Sequence, residues 1–247
     1  MHISLSAEKL FTLFGVLPVT NTLLMAWLAM AVLVVFAFVA TKRLKTVPEG
    51  GAQNVAEAVV DGAVSFIEEA VGSRRDAERF FPIVGTIFFF VLLSNWMGIL
   101  PGIGSIGFHE AGEHGEKFVP LFRSTNSDIN MTLALAVSSV IIVHVVGVAT
   151  IGFLKHAGKY LNFKNPILFF VGILELIGEV AKIVSFSFRL FGNIFAGEVL
   201  LTVIAFLVPY IAPLPFLGLE LFVGFMQALV FSMLTLVFLK IATEEHH

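Results

Sequence analysis

The sequence predicts an all-α polytopic membrane protein with five membrane helices and one interfacial amphipathic helix. Three observations carry this. Of 247 residues, 57% are hydrophobic and only 13% are charged, against roughly 45–50% and ~25% in a soluble domain. Mean hydropathy is +0.95. Five stretches also reach the length of about 20 mostly apolar residues that a helix needs to cross the hydrocarbon. The polar remainder cannot cover that much apolar surface, so a water-soluble globule is excluded, and so is a disordered chain. The absence of cysteine excludes a disulfide framework, a thiol nucleophile and a cysteine-ligated metal; no cofactor or metal is expected. A net charge of −3 argues against nucleic acid as a partner.

The whole chain, 1–247, reads as a single membrane domain. Residues 1–18 read as a short outer leader rather than a signal peptide, because the apolar run after Pro18 is long enough to span. The first membrane helix, 19–41, has no charged residue, and neither does the second, 82–100. The third, 129–154, carries only His144. The fourth, 166–208, is too long to cross upright and holds Glu175, Glu179, Lys182, Arg189 and Glu198. The fifth, 216–241, carries Glu220 and, near its end, Lys240. After the first span, residues 52–71 place Gln53, Glu57, Asp61 and Glu68 at helical spacing against Val55, Val59, Val60 and Ile67. That pattern predicts an amphipathic helix on the cytoplasmic interface, either a plain surface helix or a docking place for a soluble partner.

Basic residues set the orientation. Lys42, Arg43, Lys45, Arg74, Arg75, Arg79, Lys155, Lys159, Lys164 and Lys240 fall on one side, and Lys9, Lys117 and Arg123 on the other. The N-terminus is therefore expected outside and the C-terminus in the cytoplasm, in a plasma (inner) membrane.

Several local patterns fail their context tests. Gly102, Gly104 and Gly107 spell GxGxxG but follow no strand and open no obvious helix, so a dinucleotide site is not expected. His109 and His114 are five apart, which does not stack them on one helical face as a metal site of the HExxH kind requires. Asp128 and Asn130 read as a cap on the third span. An intramembrane hydrolase would need a nucleophile at depth, and no GxSG occurs.

The chemistry concentrates on the fourth span. A charged residue deep in a membrane helix costs about 2.5–3.5 kcal/mol on insertion scales and is a functional candidate by default. Residues near a helix end can snorkel, but Arg189 lies more than six turns from Pro166. At about 100° per residue, Glu175, Lys182, Arg189 and Asn193 form one polar stripe. Gly178, Ala181, Ser185, Gly192 and Ala196 form a stripe of small residues beside it, suited to the close approach of another helix. Glu198 faces the opposite way from Arg189, where a water-filled cavity is expected to reach it. Glu220 and Gln227 share a face of the last span. A guanidinium does not give up its proton, so Arg189 is a fixed charge, able to keep a passing carboxylate ionised and to block a proton leak. Glu198 and Glu220 are able to take up and release protons, supported by Asn193 and Gln227; Glu175, Lys182 and Ser185 suit a second cavity toward the cytoplasm. Two readings stand from the residues alone: a stator working against a mobile carboxylate, or a self-contained channel or transporter.

The run Ser187-Phe188-Arg189-Leu190-Phe191-Gly192-Asn193-Ile194-Phe195-Ala196-Gly197-Glu198 closely resembles the signature of the subunit a family of F-type ATP synthase. Gln227-Ala228-Leu229-Val230-Phe231, Ser94-Asn95-Trp96-Met97-Gly98 and Ser127-Asp128-Ile129-Asn130 are similar to that family as well, in order along nearly the whole chain. The resemblance implies a non-catalytic stator subunit, with no ATP chemistry of its own, that offers two offset half-channels to a rotating c-subunit ring. The b subunits of the peripheral stalk and the rest of the complex are the other implied partners. The last two spans would be strongly tilted along the ring. Arg189 would face the ring carboxylate. Asn193, Glu198, Glu220 and Gln227 would match the inlet side, and Glu175 and Ser185 the outlet. Protons are the default ion. The chain departs from the family in one respect: where relatives pair a histidine with a glutamate, both Glu198 and Glu220 are glutamate here. The pair is expected to share a proton or recruit a cationic or imidazole partner. His144, the one histidine within a span, is the imidazole candidate.

Overall fold

The structure, a computed structural model, describes residues 7–13, 17–42, 51–100, 102–112, 115–160 and 166–244. Arg43, Lys45, Glu113, His114 and Lys164 lie outside the described residues. Helices dominate the described residues, and five of them are long and apolar enough to cross a membrane.

The chain opens with an antiparallel hairpin, β1 (Lys9–Leu13) and β2 (Leu17–Thr20), in the segment expected to be a leader. Thr20 caps α1 (Asn21–Thr41), its hydroxyl accepting from Leu23 N–H. The amphipathic segment forms α2 (Gly51–Val71). Helix α3 (Arg74–Ile99) begins eight residues before the expected start, because Ser73 accepts from Asp76 N–H and caps it there. It runs on through Pro82, whose carbonyl accepts from the Thr86 hydroxyl at 2.6 Å.

The glycine run after α3 becomes a short 3-10 turn at Ile103–Ser105 and a second hairpin, β3 (Gly107–Gly112) with β4 (Gly115–Pro120). Gly107 is a steric requirement there: a Cβ would lie 2.2 Å from the Val119 carbonyl oxygen. His109 packs edge-on against Phe118 across this hairpin. No group of three or more metal-ligating side chains occurs among the described residues.

Asp128 caps α4 (Ile129–Ile151), accepting from Asn130 N–H at 3.0 Å, and also accepts from the Thr22 hydroxyl at 3.0 Å. Helix α4 stops three residues short of the expected boundary. Gly152 has φ +86, a left-handed geometry that glycine takes without strain. The chain folds back into the short α5 (Phe153–Tyr160). Two long helices follow, α6 (Pro166–Leu207) and α7 (Pro213–Thr243). At 1.5 Å per residue, α6 is about 63 Å long against a hydrocarbon core of about 30 Å, so it cannot stand upright.

Helices α3 and α7 form the spine. One apolar cluster joins α2 (Val64, Ile67), α3 (Phe80, Val84), α4 (Val143) and α7 (Leu236, Leu239). A second joins α3 (Ile87, Val91), α4 (Ala136), α6 (Phe186, Leu190, Ile194) and α7 (Ala228, Phe231). The bundle has two distinct ends. At one, Arg79 of α3 donates to Thr150 of α4 at 2.7 Å, Lys155 follows on α5, and Lys240 stands in the last turn of α7; this is the basic end. At the other, Asn21 donates to the Pro120 carbonyl and brings the two hairpins together; this is the hairpin end.

Polar groups buried at membrane depth need partners. Fully buried Asn95 donates to the Gly224 carbonyl of α7 at 2.9 Å and accepts from Asn126 at 2.7 Å, while neighbouring Trp96 donates to the Leu221 carbonyl at 3.1 Å. A Cβ at Gly224 would lie 3.1 Å from Asn95 Cβ, so the two helices meet closely at that point. Replacing Asn95 by Ala should destabilise the α3–α7 pairing by about 1 kcal/mol. Thermal unfolding of the purified membrane complex should then show a lowered midpoint; an unchanged midpoint would contradict this role.

Candidate functional site: three polar stations along one helix

Helix α6 presents two unlike faces. Phe186, Ser187, Leu190 and Ile194 are buried against the bundle, and Ser187 hydrogen-bonds Thr132 of α4 at 3.0 Å. The other face carries Ala181, Ser185, Arg189, Gly192, Asn193 and Ala196, all exposed. A Cβ built on Gly178 or Gly192 would meet nothing within 4 Å. The small-residue stripe and the arginine therefore lie on the outside of this chain's bundle, not in its interior.

Arg189 is the middle station. Its guanidinium donates to the Ser185 hydroxyl one turn back, at a long 3.5 Å. Asn193 lies one turn on and donates to the Arg189 carbonyl at 3.0 Å. The three expected neighbours thus share one outward face, and Arg189 faces no carboxylate of its own chain among the described contacts.

The second station is toward the hairpin end. Nine residues on from Arg189, about 14 Å along the helix, Glu198 is bound by Arg123 at 3.1 and 3.4 Å. Arg123 is only 9% exposed and Glu198 33%, so the pair is largely withdrawn from solvent. Glu220 of α7 is buried beside it, close enough to interact electrostatically with Glu198. It occupies a slot left by Gly197: a Cβ there would lie 2.9 Å from Glu220 Oε1. Glu220 Oε2 is buried without a hydrogen-bond partner among the described residues. Gln227 lies half-buried two turns along α7.

The third station is at the basic end. Glu175, Glu179 and Lys182 of α6 line a cavity of about 270 Å³ together with His144 of α4, His156 of α5 and the apolar Phe238 and Ala242 of α7. Lys182 donates to Glu179 at 2.8 Å. Ser185 is not part of this lining; it stays with Arg189.

Arg123 supplies a cation to Glu198, in keeping with the cationic or imidazole partner expected for the glutamate pair. One expectation changes. His144 is not the partner of the two glutamates. Its Nε2 lies 3.6 Å from Glu179 Oε2, and Glu179 is nineteen residues, about 28 Å, from Glu198 on the same helix. Arg123 and His156 were missed because their positions arise from chain reversals, at the turn Thr125–Ser127 and at Gly152, that leave no periodic trace.

Comparison with known proteins shows the family. The family model described as ATP synthase A chain matches residues 23–240. The chain is 36% identical over 223 residues to "ATP synthase subunit a 3" of Pelobacter propionicus, covering 90% of this chain and 86% of that protein. It is 36% identical over 219 residues to "ATP synthase subunit a" of Campylobacter jejuni, covering 87% of each. With the protein of the same name from Trichlorobacter lovleyi it shares 33% over 229 residues, 92% of this chain and 89% of that one. A match of that extent, on a bundle whose arginine stands on an outward face between two acidic stations, settles the family: the chain belongs to the ATP synthase A chain family of multi-pass membrane proteins.

Proposed function

We propose that this chain is the proton-translocating stator of an ATP synthase membrane sector, and that the outward face of α6 lies against a ring of c subunits. The observation that carries the reading is the exposed Arg189 among small residues, between Glu198 about 14 Å one way along α6 and Glu179 and Glu175 about 15 and 21 Å the other way. Guanidinium stays protonated at any accessible pH. In a low dielectric it attracts a ring carboxylate in its ionised form and repels a proton arriving from either side. A proton therefore cannot pass straight along α6. It has to leave one station on the ring carboxylate and reach the other after the ring has turned.

In this reading Glu198, Glu220, Gln227 and Asn193 serve the inlet half-channel at the hairpin end. Buried Glu220 and half-buried Glu198 share proton and charge, with Arg123 balancing the ionised form. Glu175 serves the outlet at the basic end, and Ser185 holds Arg189. By the bias of basic residues the basic end is cytoplasmic, the membrane is the bacterial plasma (inner) membrane, and α2, on the same side, is the surface offered to the b subunits of the peripheral stalk. A self-contained channel would line its own interior with these groups; the outward placement of Arg189 and Asn193 speaks for a partner instead.

Arg189→Ala should abolish ATP-driven proton pumping in membrane vesicles while the complex still assembles; retained coupling would refute the assigned role. Glu198→Gln should slow proton flux more mildly. Arg123→Gln leaves Glu198 buried without its cation, a loss of about 3–5 kcal/mol for a fully buried pair and less for this partly exposed one. The double variant Arg123→Gln/Glu198→Gln should therefore be more stable than Arg123→Gln alone, measured as thermal unfolding of the complex. Strict additivity would show that the two side chains are not coupled.

A further inference from the structure

The basic end holds two histidines that the proposed path does not use. The fold brings them together with some care. Gly152 reverses the chain so that α5 returns along α4. His156 then enters a slot over Gly147, where a Cβ would lie 2.8 Å from His156 Cε1 and 3.1 Å from the Ala242 carbonyl oxygen. The slot exists only because residue 147 lacks a side chain. In it, His156 Nε2 lies 3.1 Å from His144 Nδ1, and the rings meet edge to face at 5.4 Å. The other nitrogen of His144 faces Glu179 Oε2 at 3.6 Å. The groups around His144 are His156 from α5, Glu175, Glu179 and Lys182 from α6, and apolar Phe238 and Ala242 from α7. Lys182 is held against Glu179 at 2.8 Å and over the Phe238 ring at 4.4 Å. The shared cavity of about 270 Å³ has room for several waters.

We propose that His144 is a further proton-carrying residue of the outlet half-channel and that His156 is its positioning residue. This rests on the stator reading and deepens its basic-end half. Imidazole is the side chain whose ordinary titration falls between pH 5 and 8. With His144 Nδ1–H donated to His156 Nε2, the ring is fixed and its Nε2 lone pair faces Glu179 and the cavity. A proton from a cavity water or carboxyl group forms the Nε2–H bond. The imidazolium then donates to two acceptors already in place, His156 and Glu179. The same N–H bond breaks when cavity water takes the proton onward, so one proton enters and one leaves, with no change of oxidation state. Glu179 attracts the arriving proton and Lys182 repels it, the balance a transfer group needs.

The test is proton flux through membrane sectors of the assembled complex, stripped of the ATP-hydrolysing part, as a function of pH on the basic side. His144→Asn keeps a polar atom for His156 but removes Nε2. It should lower flux several-fold and flatten the pH profile, and millimolar imidazole should restore much of the loss. His156→Phe, which removes the acceptor for His144 Nδ1, should shift the midpoint of the profile and lower flux less than His144→Asn does. Where His144→Asn does not assemble, His144→Gln is measured with the same expectations. Unchanged flux and profile in the His144 variant, or a loss that imidazole does not restore, would overturn the proposal. Glu175→Gln separates the two levels: if it lowers flux while His144→Asn does not, only the histidine proposal fails. If neither lowers flux, the outlet assignment itself fails.

Discussion

A guanidinium that cannot lose its proton, held on the outer face of a long membrane helix, is the constraint on which the rest depends. Arg189 has one long hydrogen bond to Ser185 within its chain and no carboxylate facing it among the described contacts. Such a charge at membrane depth is costly alone, and in the proposed function a group from another chain meets it. The surrounding stripe of Ser185, Gly192 and Ala196 keeps the approach open to another helix. An arginine turned inward would instead need an internal counter-charge, and the chain would then be a closed device rather than half of one.

The remainder of the fold serves to hold that face still. The buried side of α6, Phe186, Leu190 and Ile194, locks into α3, α4 and α7, and α7 is pinned to α3 by Asn95 and Trp96. Glycines set the tight places. Gly197 admits the Glu220 carboxylate, Gly224 admits Asn95, and Gly147 admits His156. Each removes a Cβ where a polar group has to enter, so shape and chemistry are set at the same positions. Arginine appears in two roles. Arg123 is buried and paired with Glu198, whereas Arg189 is exposed and open.

Most of the helices were legible in the sequence, since an apolar run of membrane length has few other structures available. The outward face of α6 was legible too, because Arg189, Asn193 and the small residues share a helical period that survives folding. Three kinds of feature were not. The extension of α3 to Arg74 depends on the Ser73 cap, which outweighs the usual reading of Pro82 as a helix start. The two hairpins lie in short segments with weak periodicity. The partners of the acidic groups come from turns: Arg123 reaches Glu198 across seventy-five residues, and His156 reaches His144 only because Gly152 reverses the chain. Those are contacts of topology, and a single sequence carries no period for them. The expected link from His144 to the glutamate pair failed for the same reason, since depth along α6, not residue type, decides which groups meet.

The central claim is that Arg189 is completed by a carboxylate from another chain. A density map of the complex purified with its membrane partners tests it most directly. The account predicts a helix of a neighbouring subunit lying along Ser185, Gly192 and Ala196, with one of its carboxylates facing the Arg189 guanidinium. Lipid alone against that stripe, or a carboxylate of this same chain folded onto Arg189, would contradict it.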